Sequence, residues 1–204
     1  MFLKVCGITR LTDALHAAQQ GATALGFVFW PRSPRFVTPE QAAEIIGELP
    51  GSVTTVGVFV NESIDGIRRV VARAGLTAVQ LHGDEPPAYA DAIPCSLLRS
   101  VTLDEAAQAC EDWPPGTTLL LDAADRERRG GTGQRVDWTR AAALARDHRV
   151  VLAGGLTPDN VADAIAHVRP YGVDVSSGVE QSPGVKDLHK MTEFLMSAKS
   201  AFQR

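Results

Sequence analysis

From one end of the chain to the other, short apolar runs alternate with longer stretches whose apolar positions recur every three or four residues. The short runs predict strands over residues 2–6, 24–29, 54–60, 78–82, 95–101, 118–122, 150–153 and 173–176. The longer stretches predict helices over 12–20, 39–49, 64–74, 85–92, 103–110, 137–146 and 158–167, with 185–201 closing the chain as a helix. Thr38 before Pro39, and Thr157 before Pro158, read as N-cap side chains in front of a proline at the first helical position. The one long irregular piece is 123–136.

Eight strand–helix units in 204 residues have about 25 residues each, a repeat of architecture without an obvious repeat of sequence. Eight parallel strands can close into a (β/α)₈ barrel, here trimmed below the roughly 250 residues that are typical. An open doubly wound sheet would call for a G-x-G-x-x-G turn after the first strand. Cys6-Gly7-Ile8-Thr9 does not supply it. The expectation is therefore one barrel domain over residues 1–204.

Composition fits that picture: 45% hydrophobic and 22% charged residues suit one sizeable core. The formal charge of −4 speaks against a nucleic-acid partner. It leaves a small anion open, because local arginines still make a positive mouth. The three cysteines, Cys6, Cys95 and Cys110, have no metal-ligand spacing and make a poor disulfide framework, so a cytoplasmic setting is expected. No signal peptide precedes the first strand, and no apolar run approaches the roughly 18 residues of a membrane span.

Candidate chemistry gathers at the ends of the predicted strands, where the mouth of a parallel barrel lies. Alternation puts Lys4 and Cys6 on one face and Leu3 and Val5 on the other, which turns the thiol and the amine into the barrel. A buried cysteine alone is more often an inert small hydrophobe. A cation two residues away argues for a thiol pKa lowered towards neutrality. Cys95 and Cys110, one at the start of its strand and one in a helix, read as structural.

Asp122 ends an apolar strand, either as a loop cap or as a working carboxylate. In a closed ring it would face Cys6 over the mouth, which suits an acid and a base acting on different atoms of one substrate. Gly154 and Gly155, and Ser176, Ser177 and Gly178, follow strands seven and eight, where barrels often bind phosphate through bare amides. Arg35, in a proline-stiffened loop, can grip a carboxylate or simply sit on the surface. The arginines 126, 128, 129 and 135 with Gly130-Gly131-Thr132-Gly133 read as a solvated face or a lid. His82 with Gln80 on its face reads as a satisfied barrel histidine rather than a partner for Cys6.

Several segments together resemble the phosphoribosylanthranilate isomerase family. They are Lys4-Val5-Cys6-Gly7-Ile8-Thr9, Gly26-Phe27-Val28-Phe29 with Ser33-Pro34-Arg35, Val56-Gly57-Val58-Phe59-Val60-Asn61 and Val79-Gln80-Leu81-His82-Gly83. Leu120-Leu121-Asp122 with Gly130-Gly131-Thr132-Gly133, Ala153-Gly154-Gly155-Leu156 and Val173-Asp174-Val175-Ser176-Ser177-Gly178-Val179-Glu180 follow in the family's order. Trp30 and Arg32 are mild variants of their loop.

The resemblance implies a ribulose-phosphate-binding (β/α)₈ barrel that works in tryptophan biosynthesis without a metal or organic cofactor. Its reaction is the Amadori rearrangement of N-(5-phosphoribosyl)anthranilate to 1-(2-carboxyphenylamino)-1-deoxyribulose 5-phosphate. It implies Asp122 as general acid, Cys6 as general base, Arg35 on the anthranilate carboxylate and the glycine corners on the phosphate. Lys4, anchored by Asp174, is expected to support Cys6. Three rivals remain: a barrel that only binds a sugar phosphate, a cysteine hydrolase using Cys6 and His82, and the related isomerase of histidine biosynthesis. Sequences resembling the last carry aspartate at the place of Cys6. Monomer and homodimer are both open.

Overall fold

A computed structural model describes residues 1–122 and 136–204. The predicted arginine- and glycine-rich loop, including Arg126, Arg128, Arg129, Arg135 and Gly130–Gly133, lies outside them. Eight parallel strands close in chain order: β1 (Phe2–Cys6), β2 (Ala24–Val28), β3 (Thr54–Phe59), β4 (Ala78–Leu81), β5 (Ser96–Val101), β6 (Thr118–Leu121), β7 (Val150–Leu152) and β8 (Gly172–Val175). The helices between them are α1 (Leu11–Gln19), α2 (Pro39–Gly47), α3 (Ile64–Ala74), α4 (Ala106–Asp112), α5 (Trp138–Ala145) and α6 (Val161–Val168).

Side-chain alternation makes two cores. Leu3, Val5, Leu25, Phe27, Val79, Leu81, Leu119, Leu121 and Val173 point outward against the helices. Inside the barrel a smaller set, Ala24, Val56, Ala78, Leu98, Leu120 and Val151, fills the lower layers. Above this apolar plug the inward positions turn polar: Lys4, Cys6, Gln80, Ser100 and Asp174 are buried there. The plug closes the bottom of the cylinder, so these polar groups lie towards its other end.

Three predicted elements differ, each for a physical reason. The stretch 85–92 forms only a 3₁₀ turn, Pro87–Ala92. Pro86 and Pro87 supply no N–H, and the Glu85 carboxylate already takes the amides of Asn61 and Gly83 and the guanidinium of Arg99. Helix α6 begins at Val161 rather than behind Thr157. Asn160 bridges the intervening turn, accepting from the Thr157 amide and donating to the Gly155 carbonyl, both at 2.9 Å. The closing stretch is not one helix: β9 (Glu180–Ser182) and β10 (Val185–Lys186) form a small hairpin before α7 (Leu188–Phe202). Asp187 caps α7 through the amides of His189 and Lys190. At α2 the expected cap is present, Thr38 and Gln41 capping each other reciprocally.

Candidate active site

Cys6 is the last residue of β1, and its sulfur occupies space that the neighbouring strand leaves free. A Cβ on Gly26, its partner across the β1–β2 ladder, would come within 2.7 Å of the Cys6 sulfur and 3.2 Å of Lys4 Cε. Only glycine lets the thiol and the lysine share this layer. Lys4 is fully buried, and its Nζ donates to Asp174 Oδ2 at 3.0 Å from the facing position on β8. Among the described residues Asp174 Oδ1 has no hydrogen-bond partner.

Burial by itself would lower the Lys4 pKa, but Asp174 and then Cys6 outweigh it, and the ammonium is held above the ordinary lysine value. For Asp174 burial pushes the carboxyl up, while Lys4 pulls it down and Asp122 adds to the rise. These opposed pulls meet in a 3.0 Å contact. We place the proton on the amine at neutral pH, because the raised Lys4 requires an ionised neighbour.

The thiol departs from the sequence expectation. Burial raises its pKa above the ordinary value, Lys4 opposes that, and the Asp174 carboxylate adds to the rise. The neighbouring lysine does lower the thiol pKa, but desolvation is larger. At neutral pH Cys6 is therefore a protonated thiol.

Asp122 directly follows β6, which is separated from β1 by β8 and β7 around the ring. Asp174, between them on β8, is coupled electrostatically to both Cys6 and Asp122. Directly after β4, His82 turns its Nε2 towards Asp122 Oδ2 at 3.8 Å. Its Nδ1 lies 3.0 Å from Gln80 Nε2 and 2.8 Å from Ser100 Oγ. With the Gln80 amide donating, Nδ1 is the acceptor and the ring proton sits on Nε2. His82 is thus the satisfied barrel histidine expected, engaged by Gln80 and Ser100 and facing Asp122.

Burial, then Lys4, lower the His82 pKa from 6.5 to about 4. The unfolded chain therefore binds this proton first. His82 contributes stability that is present above about pH 6.5, and roughly 3 kcal/mol of it is lost as pH falls towards 4. Two-dimensional NMR of labelled histidine should show a neutral His82 ring throughout pH 5–8, while denaturant titrations already show the loss of stability as pH falls from about 6.5 towards 4.

The glycine corners lie at the ends of β7 and β8. Gly154 and Gly155 have φ of +77° and +66°. Gly178 packs so tightly on the β7 corner that a Cβ would sit 3.0 Å from the Leu156 carbonyl carbon, and closer still to its oxygen. Asn160 fastens this corner from behind, as described above. Arg35 reaches the same side of the mouth, where a Cβ on Gly7 would meet its Cδ at 2.4 Å. Its guanidinium is engaged by Glu180. Cys95 precedes β5 and Cys110 lies in α4, both away from this end. Sequence reasoning missed Lys186 and the part played by Glu180; the only signal was a glutamate and a lysine flanking Ser182-Pro183-Gly184.

A family model described as N-(5'-phosphoribosyl)anthranilate (PRA) isomerase matches residues 3–197. The chain belongs to the N-(5'-phosphoribosyl)anthranilate isomerase family. A family member from Geobacter sp. (strain M21) is 49% identical over 199 residues, covering 97% of each chain. One from Trichlorobacter lovleyi is 49% identical over 203 residues and covers 98% of each. The solved phosphoribosyl anthranilate isomerase of Thermotoga maritima is 41% identical, with a TM-score of 0.89 over 98% of this chain and 99% of that one. Another isomerase of the family, in complex with reduced 1-(o-carboxyphenylamino)-1-deoxyribulose 5-phosphate, is 40% identical with a TM-score of 0.86, covering 98% and 99%.

Proposed function

We propose that this chain catalyses the isomerisation its family is named for, in tryptophan biosynthesis, with Asp122 as general acid and Cys6 as general base. The observation that carries this reading is the arrangement of the mouth. A thiol ends β1 and a carboxylate follows β6 at the same end of an apolar-floored barrel, with Asp174, on β8 between those strands, held by Lys4.

Asp122 gives its proton to the furanose ring oxygen as the C1′–O bond breaks, and the anilino nitrogen's lone pair forms the C1′=N bond of a cationic Schiff base. Cys6 then takes the proton from C2′. The C–H electrons form C1′=C2′ and the C=N electrons return to nitrogen, giving a neutral enolamine that tautomerises to the ketone. This order of events answers the raised thiol. A cation created beside Cys6 by the first step favours thiolate for the second, because an opposite charge nearby stabilises the ionised form, and the thiol's proton returns through solvent at the mouth to the Asp122 carboxylate left by the first step.

Arg35 takes the anthranilate carboxylate, and Gly154, Gly155, Ser176, Ser177 and Gly178 offer backbone amides and hydroxyls to the phosphate. The hydrolase alternative is disfavoured because His82 is engaged by Gln80 and Ser100 and faces Asp122. We place the enzyme in the cytoplasm; among the described residues no helix is long and apolar enough to cross a membrane.

The substrate fluoresces through its anthranilate group, so its disappearance tests the reading directly. Purified protein should consume it with multiple turnovers and without added metal. Saturable binding without turnover would replace this reading by that of a sugar-phosphate-binding barrel.

A further inference from the structure

One buried cation has no part in the reaction scheme. Lys186, on β10, is 2% exposed. Its Nζ donates to the Cys6 carbonyl at 2.6 Å, to the Ser176 carbonyl at 3.2 Å and to Glu180 Oε1 at 2.9 Å. An ammonium has three protons, and all are used. Glu180 in turn receives Arg35 fork to fork, Nε on Oε1 at 2.8 Å and Nη2 on Oε2 at 2.6 Å, with the Gly184 amide at 3.3 Å. Both cations hold the Glu180 carboxyl below its ordinary pKa despite the burial that opposes them.

Stability alone does not account for such a group. Burying an ammonium and a carboxylate carries a desolvation penalty that an apolar pair of similar volume avoids, often with equal or greater stability. What the cluster does supply is geometry. The ammonium ties the end of β1, at the thiol, to the end of β8, at the predicted phosphate corner. The fork-to-fork pair fixes the plane of the Arg35 guanidinium. It uses Nε and one proton of Nη2, leaving both Nη1 protons and the second Nη2 proton for another acceptor. The cluster of two cations and one anion also keeps one positive charge beside the mouth.

We infer that Lys186 and Glu180 are positioning residues that preset Arg35 for the substrate's carboxylate and lock that grip to the strand ends carrying Cys6 and Ser176. This rests on the reading of Arg35 given above. A guanidinium held in place before binding does not lose side-chain freedom when the carboxylate arrives, so the carboxylate contributes more to affinity.

The test uses two stable ligands, the reduced forms of 1-(2-carboxyphenylamino)- and 1-phenylamino-1-deoxyribulose 5-phosphate, which differ only in the carboxylate. Calorimetric Kd values for both give a preference ratio for wild type, Glu180→Gln, Lys186→Met and Arg35→Met. Glu180→Gln should shrink the ratio about tenfold or more while leaving the phenyl ligand's affinity near wild type. A merely structural defect would weaken both ligands equally, and that result overturns the inference. An unchanged ratio in Glu180→Gln overturns it too. If Arg35→Met loses the ratio while Glu180→Gln keeps it, only the inference falls. If Arg35→Met keeps the ratio, the reading of Arg35 falls first. Should Lys186→Met fail to fold, the nearly isosteric Glu180→Gln decides alone.

Discussion

Asp122→Asn is expected to lower kcat by about 10²- to 10⁴-fold, the usual contribution of a positioned general acid, with a melting temperature close to wild type. The side chain is 17% exposed at the rim of the mouth, and asparagine keeps its shape. What asparagine lacks is a proton to give to the ring oxygen. Cys6→Ser should fall into the same range, since a hydroxyl of this size is a far weaker acid than a thiol and stays protonated. The requirement on the pair is severe. With reference values near 3.9 and 8.5, a free carboxyl and thiol at pH 7 would be together in the acid-and-thiolate combination only on the order of 10⁻⁵ of the time.

The raised thiol makes the simultaneous combination rarer still, which favours two transfers in sequence. On this scheme wild-type kcat/KM falls at alkaline pH once the thiol is ionised, because Asp122 then has no thiol proton to draw on, and Cys6→Ser loses that limb. Wild-type kcat in either variant, measured by the anthranilate fluorescence, would remove the assigned pair.

The barrel itself was legible because each strand carries two messages at once. In Phe2–Cys6 the apolar residues Leu3 and Val5 mark the helix-facing side, and Lys4 and Cys6, apparently misplaced in a strand, mark the mouth. The same logic located Asp122 and the glycine corners. Illegible were the features that depend on what a residue meets from elsewhere in the chain. Val185 and Lys186 belong to a hairpin because β9 comes back to pair with them, whereas their local sequence runs straight into a helical pattern. Nothing near Lys186 in the sequence marks it as buried; its burial depends on carbonyls at positions 6 and 176 and a carboxylate at 180. Asn160, not Thr157, stands at the N-cap of α6, and its side chain is taken up by the Thr157 amide and the Gly155 carbonyl. The direction of the Cys6 shift was misread for the same reason: a neighbouring lysine is visible in sequence, but the loss of water around a barrel interior is not.

Lys4→Met should have the largest effect on stability, a loss of about 3–5 kcal/mol, because it leaves the buried Asp174 carboxylate without the ammonium it contacts at 3.0 Å. For a chain of this length that corresponds to a fall in Tm of roughly 6–20 °C. Changing pH is a poor substitute for the mutation. The folded-state pKa of Lys4 is raised, so its contribution is complete below the ordinary value of 10.5 and is lost only as pH climbs through the higher folded value. Asp174→Asn in the Lys4→Met background should recover part of the loss, since it removes the stranded charge, and the double-mutant cycle then reports the coupling.

A second readout separates packing from electrostatics. Lys4 pulls the thiol pKa down against burial, so its removal should move the pH midpoint of Cys6 alkylation further up, and Asp174→Asn should move it down. Cys6 alkylation midpoints that coincide in wild type and in Lys4→Met would mean the amine serves only to neutralise Asp174, and the thiol's response would then have to come from Lys186 and from the substrate's own cation.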